Sequence, residues 1–380
     1  MLKSEEIVYK GQKQMRRGYT TGSCAAAAVK AAVSMLLGKE EIVCVTLMTP
    51  KGIELYLEVE EVQRNAAFVS CAIRKDSGDD PDVTNGVLVY AKVAKKEGEQ
   101  ICLDGGKGIG RITRKGFSQD IGEAAINKVP KEMILKEARE ICEKYHYKEG
   151  LEIEISIPKG EELAERTFNP RLGILGGISV LGTSGIVEPM SEKALIHTIH
   201  LELKVLRELG KEYCYIVPGN YGSDFLKESL GFDEVQSVKC SNFIGEAIDH
   251  ALLREFKGIL LIGHVGKFIK LAAGIMNTHS NTADGRMEVF AAHAALVGAK
   301  AEVIWQIMNC GITDEAIGIL KAEGIFERVM ESVMQKIEYH LENRVHKKME
   351  IGAILFSNEY GIIGKTKLAD EIVREMRGNK

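Results

Sequence analysis

Gly258-Ile259-Leu260-Leu261-Ile262-Gly263-His264-Val265-Gly266-Lys267-Phe268 decides the class of the second half of the chain. A short apolar run ends in a glycine turn, and a helical segment follows it. The same rhythm is read at 172–175, at 213–217 before Pro218-Gly219-Asn220, at 302–307 before Asn309, and at 351–356 before Ser357. A helical pattern over 192–209 lies between the first two. Alternating strands, glycine turns and helices predict an α/β domain with a mostly parallel, doubly wound sheet, whose ligands sit at the C-terminal strand ends.

Upstream of Pro158-Lys159-Gly160 the pattern differs. Thr20, Thr21 and Ser23 offer hydroxyls to the free amides of a helix N-terminus. The stretch 24–37 is alanine-rich and apolar on nearly every face, and Gly38 is a natural stop. Alanine lets neighbouring backbone approach closely, so this helix is expected to be buried. Strand-like runs follow at 42–48, 53–62, 67–74, 86–93 and 100–103, then a helix at 131–146 and an alternating strand at 151–157. At 380 residues the chain exceeds a comfortable single core. The expected division is an α+β domain over 1–158 and a Rossmann-like α/β domain over 159–380.

Composition narrows the function classes. A net charge of −4 argues against bulk attraction to nucleic acid, which needs a concentrated basic surface. The longest apolar runs are too short to span a bilayer, and the N-terminus lacks the apolar core of a signal peptide. A cytoplasmic protein with no membrane partner is expected, and a homo-oligomer is left open. The eight cysteines form no C-x-x-C pair, so they read as reduced, buried small hydrophobes and no resident metal is expected.

Five segments carry groups suited to chemistry. In Arg16-Arg17-Gly18-Tyr19-Thr20-Thr21-Gly22-Ser23, two guanidinium groups precede a hydroxyl-rich helix start, which suits a carboxylate or phosphate. A capped helix with two solvated arginines is the plainer reading. The stretch 75–86 sets Asp76, Asp79, Asp80 and Asp82 within seven positions, and something must stabilise them. An EF-hand fails on glycine and glutamate spacing. Crowding can raise one carboxyl's pKa and make Asp79 or Asp80 a proton-transfer group; a solvated acidic loop is the alternative. The stretch 104–114 resembles a dinucleotide fingerprint but has Arg111 where the third glycine belongs. In 169–185, Gly177 and Gly182 have Walker A spacing, but Thr183 stands in place of the lysine, which disfavours ATP hydrolysis. Its Gly176, Gly177, Gly182 and Thr183 still suit close approach of an adenosine-type cofactor, as do Gly219-Asn220 and Gly263 at later strand ends. His264, at a strand end, can shuttle a proton near neutral pH.

Read together, 17–26, 75–86, 105–113, 122–127, 169–185, 219–222 and 263–286 resemble the cobalt-precorrin-5B (C-1)-methyltransferases, the CbiD family, in order along most of the chain. Lys115 and Lys128 depart from the family pattern, which has proline there. The resemblance implies methyl transfer from S-adenosylmethionine to C-1 of cobalt-precorrin-5B, giving cobalt-precorrin-6A in anaerobic cobalamin biosynthesis, with cobalt present only as part of the substrate. It carries over no catalytic residue. A substrate with acetate and propionate arms favours Arg16, Arg17, Thr20, Thr21 and Ser23 as its binding groups. The rival reading is a non-catalytic tetrapyrrole-binding carrier or scaffold of the same pathway.

Overall fold

Alanine positions the first helix. In the computed structural model, which describes residues 7–10, 12–38, 40–219 and 236–377, α1 (Thr21–Gly38) has no exposed surface at Ala25, Ala26, Ala27, Ala28, Ala31 or Ala32. By length and composition α1 could cross a membrane. Its apolar surface is instead enclosed by α2 (Lys128–Lys144) and by the strands described next. Lys128, one of the two departures from the family pattern, opens α2, where a proline would also be tolerated.

The chain forms two compact units, Met1–Ser191 and Glu192–Lys380. In the first, β1 (Ile7–Lys10) pairs with β2 (Lys13–Arg16), and β4 (Cys44–Met48) pairs with β5 (Glu54–Glu58). Between them in sequence, β3 (Gly18–Tyr19) leads into α1. A mixed five-stranded sheet follows from β6 (Glu60–Arg64), β7 (Phe68–Arg74), β8 (Leu88–Lys96), β9 (Ile101–Gly105) and β12 (Gly150–Ser156), in the order β6-β7-β8-β12-β9. Val69, Cys71, Val89, Ala91, Val93, Leu151, Ile153 and Ile155 alternate inward under α1 and α2, while Lys92, Glu152 and Glu154 face out. Hydrophobic-in, polar-out alternation is what one covered face of a sheet requires.

The division falls later than expected. Two-residue strands tie 160–191 back to the first unit: β10 (Gly108–Ile109) pairs with β14 (Gly177–Ile178), β11 (Arg111–Ile112) with β13 (Ile174–Leu175), and β3 with β15 (Ile186–Val187). Residues 172–175, read as the first strand of the second domain, instead hold the last residue of the short helix Asn169–Leu172, its Gly173 cap and the two-residue β13.

The second unit is built on a five-stranded mixed sheet. Its strands are β16 (Tyr213–Val217), β17 (Ser237–Lys239), β18 (Gly258–His264), β19 (Glu350–Ser357) and β20 (Gly361–Lys365), in the order β17-β16-β18-β19-β20. The first four run parallel and β20 is an antiparallel edge. Cys214, Ile216, Ile259, Leu261, Ala353 and Leu355 face one core, with the helices Glu192–Glu208, Ile244–Leu253 and Phe326–Arg344. Tyr215, Leu260, Ile262 and Ile354 face the other, under the helix Ala369–Arg377. The expected strand at 302–307 is the helix Ala301–Met308. Val303 and Ile307 are buried four residues apart while Trp305 is exposed, a helical period that β-prone residue types obscured.

Candidate functional site

Stretches far apart in sequence meet at the N-terminus of α1. The Arg16 guanidinium forks onto both carboxylate oxygens of Asp76, at 2.5 and 2.8 Å. The Arg16 amide donates to Asp79 Oδ2 at 2.6 Å, and its carbonyl accepts from the Asp79 amide at 3.0 Å. A Cβ on Gly18 would approach the Asp76 carbonyl closer than 3.0 Å, and one on Gly78 would do the same to the Arg16 carbonyl. The two segments therefore cross backbone against backbone.

Thr20 Oγ1 accepts from the Ser23 amide at 3.2 Å and so caps α1. Thr21 and Ser23 are buried. Thr21 Oγ1 accepts from the Leu181 amide at 3.0 Å, and Ser23 Oγ donates to the Gly185 carbonyl at 2.7 Å. The Gly22 amide is spent on the Leu181 carbonyl at 2.9 Å. These contacts replace the ligand contacts expected for Thr21 and Ser23: the segment 181–185 closes the helix end. Arg17 lies 3.8 Å from Glu188, and Lys51 pairs with the same carboxylate. The Lys51 hydrogen bond, helped by the charges of Arg17 and Lys10, holds the Glu188 carboxyl below its usual range against the opposing effect of burial. Lys51, Arg17 and Lys10 thus all act on one carboxylate. Lys10 and Lys51 lie outside every motif read from the sequence, which hid this patch.

Every aspartate of the acidic loop has an internal donor. Asp80 Oδ1 accepts from the Met190 amide at 2.8 Å. Asp82 takes the Lys75 ammonium together with the Thr84 amide at 2.8 Å and hydroxyl at 2.7 Å. Lys75 is only 3% exposed. The first residue of the acidic stretch is thus the buried cation that makes its crowding tolerable. Asp79 and Asp80, expected to move a proton, serve here as acceptors that pin residues 16 and 190.

The Arg16 hydrogen bond, with help from the Gly78 amide, holds the Asp76 carboxyl below its usual range although burial opposes it. For Asp82, burial pushes upward, but Lys75 and Thr84 together bring the result below the usual range. Because this ion pair is partly exposed, Asp76→Asn and Arg16→Met are each expected to lower stability by about 1–2 kcal/mol. In a urea double-mutant cycle the two losses should not add. A rise in substrate KM for Arg16→Met with Asp76→Asn silent would instead assign Arg16 to the substrate.

The glycine-rich stretch belongs to the first unit, where no strand of the parallel sheet precedes it. Gly177 lies against Gly108 in β10–β14, and a Cβ there would come closer than 3.0 Å to the Gly108 carbonyl. Gly182, at φ +142°, backs directly onto Thr20. Close backbone packing accounts for both glycines without a cofactor. Gly176, at φ +78°, has open space around it, and Thr183 is exposed.

The parallel strands carry the remaining candidates. β16 runs out before Pro218-Gly219, and among the described residues nothing stands within 4 Å of where a Gly219 side chain would be. Asn220 lies outside the described residues. Gly263 is packed under the Phe268 ring. His264 ends β18 and caps the turn Val265–Phe268, its Nδ1 accepting from the Gly266 amide at 3.1 Å. In the neutral ring that bond places the proton on Nε2, which can then donate a hydrogen bond. Burial lowers the His264 pKa, against the attraction of Asp314. Phe356 meets the ring edge-on at 5.7 Å, and Asp314 accepts from Ser357 Oγ at 2.6 Å, neither partner having been read from sequence.

Two cavities lie apart from these groups. One of about 400 Å³ runs between the helix Phe326–Arg344 and β20, past Met330 and Met334. The other, of about 390 Å³, is lined by Asp104, Arg111, Glu123 and Lys131 in the first unit, where the Arg111 fork is already closed on Asp104 at 2.7 and 3.1 Å.

Comparison with known proteins bears on the whole chain. Sequence profiles described as CbiD and as CbiD, C-terminal domain match residues 8–189 and 277–367. A cobalt-precorrin-5B C(1)-methyltransferase of Ruminiclostridium cellulolyticum is 53% identical over 354 residues, covering 93% of this chain and 92% of that protein. One of Alkaliphilus metalliredigens is 43% identical over 373 residues, 98% of each. The crystal structure of a cobalamin biosynthesis protein (cbiD) from Archaeoglobus fulgidus is 29% identical, covers 74% of this chain and 88% of that one, and has a TM-score of 0.41.

Proposed function

The chain belongs to the CbiD family, and on that premise we propose that it transfers a methyl group from S-adenosylmethionine to C-1 of cobalt-precorrin-5B, forming cobalt-precorrin-6A, as a soluble cytoplasmic enzyme. The donor supplies an electrophilic methyl on a sulfonium, and the acceptor is a carbon of an electron-rich ring. The protein's task is therefore collinear alignment within about 3–3.5 Å and exclusion of water, rather than strong base catalysis. That fits the acidic loop as found, since its carboxylates brace backbone.

The observation that carries the cofactor half of this reading is the strand order. In β17-β16-β18-β19 the order reverses between β16 and β18, and doubly wound sheets bind ligands outside the C-terminal ends at that point. Gly219 lies two residues past the end of β16, and His264 ends β18. There His264 Nε2–H would donate to the cofactor. The cations Arg17, Lys51 and Lys10 around Glu188 are groups that the carboxylate arms of the corrinoid could pair with, and Thr183 stands exposed beside the capped helix.

The test is anaerobic incubation of the purified chain with methyl-labelled S-adenosylmethionine and cobalt-precorrin-5B, followed by mass analysis of the ring. One labelled methyl at C-1 is expected. Binding of the corrinoid without transfer would leave the carrier reading instead.

A further inference from the structure

Two lysines one turn apart behave differently. Lys270 is 3% exposed and donates to the Thr278 carbonyl at 3.2 Å and the Ala283 carbonyl at 2.8 Å, so it fastens the segment 278–283. Lys267, in the turn Val265–Phe268 after β18, is half-buried. Among the described residues it has neither a hydrogen bond nor an ion pair.

The groups acting on Lys267 are the Cys240 thiol and the Lys270 ammonium; the Glu202 carboxylate, which acts on the same thiol, accepts from the Lys239 amide. Cys240 lies nearest in electrostatic effect, and burial pushes its thiol up to about 12, so it is neutral near pH 7. Lys270 is a like charge. Burial is the main cause that lowers the Lys267 pKa, with Lys270 adding to it. The position is informative: Cys240 follows β17, and its amide donates to the Val217 carbonyl, the last of β16, at 2.8 Å. An ammonium beside Cys240 on the turn after β18 therefore lies at the ends of the strands where the order reverses. A half-buried cation without a protein partner at the end of these strands is a position where a ligand anion can complete the pair.

We propose that Lys267 anchors a ligand carboxylate at the C-terminal end of the parallel strands. The contact rests on reading that end as the S-adenosylmethionine site. The carboxylate belongs either to the methionyl part of the donor or to an arm of the corrinoid.

Lys267→Met keeps the stem and removes the charge. Because a partnerless cation is lost, the variant is expected to fold and to unfold at an equal or higher temperature. Calorimetric titration of wild type should find S-adenosylmethionine bound roughly ten- to a hundredfold more tightly than its decarboxylated analogue, and Lys267→Met should bind the two alike. If donor affinity is unchanged but the corrinoid, titrated by its absorbance, weakens by a similar factor, the anchored carboxylate is an arm of the macrocycle. Wild-type affinity of Lys267→Met for both ligands overturns the proposal. Failure of wild type itself to bind the donor overturns the cofactor site, and the corrinoid titration then decides Lys267 alone.

Discussion

Gly108→Ala is expected to lower the stability of the first unit by about 3–5 kcal/mol, the sum of a strained positive φ and an overpacked crossing. Gly108 sits at φ +75°, and a Cβ would come closer than 3.0 Å to the Ile157 carbonyl. From the other sides, Gly160 and Gly177 have the Gly108 carbonyl where their own Cβ would stand. Three glycines thus let three backbones cross where β10 pairs with β14. For a unit of this size the thermal midpoint should fall by roughly 10 °C. Gly177→Val should do the same, so loss of cofactor binding in that variant would report unfolding. Gly176→Ala is the control, with φ +78° but open space, and is expected to cost only about 1 kcal/mol. Equal losses for Gly108→Ala and Gly176→Ala, read from thermal unfolding, would show that the crossing is not tight.

That crossing also marks the limit of what pattern reading delivers. The buried alanine helix, β7, β8, β9 and β12 of the first sheet, β16, β18 and β19 of the second, and the helix 131–146 were legible because each carries a period or a composition of its own, whereas the short edge strands β17 and β20 were not read. The joining of 160–191 to the first unit was not. It depends on β10–β14, β11–β13 and β3–β15, pairings of two residues each, too short to show alternation. Without those pairings in view, a glycine-rich turn after Leu175 looks like the mouth of a nucleotide site, whereas its neighbours are Gly108 and Thr20. In the same way Lys75 carried its signal openly, a cation heading an acidic run, but only the fold shows that it is buried and turned back on Asp82. At 302–307 the residue types spoke for a strand and the spacing of Val303 and Ile307 for a helix; spacing prevailed, because only one face had a core to meet.

Lowering the pH from 7 to 4 is expected to loosen the second unit well before the sheet of the first. His200, His250, His264, His293 and His340 all lie in the second unit, and burial lowers the pKa of each, that of His250 to about 4. Below the ordinary histidine value of about 6.5 the unfolded chain takes up protons that these buried rings refuse, so stability falls as pH drops toward their folded values. His250 is the largest contributor, on the order of 3 kcal/mol over that window. Its ring is stacked on His200 at 3.8 Å, and its Nε2 already accepts from Arg254 Nε at 3.2 Å, so a proton there meets both a lost hydrogen bond and a like charge. In the first unit the groups held low are carboxylates, Asp76, Asp82, Asp104 and Glu188. Their contribution is intact above about pH 4 and is lost only below it. Amide exchange, corrected for its intrinsic pH dependence, should show β18 and β19 losing protection between pH 6.5 and 4 while β8 and β12 keep theirs. His250→Gln should flatten the slope of the second unit and leave that of the first unchanged. Parallel loss in both units of wild type would mean that carboxylates, and not these imidazoles, govern its acid sensitivity.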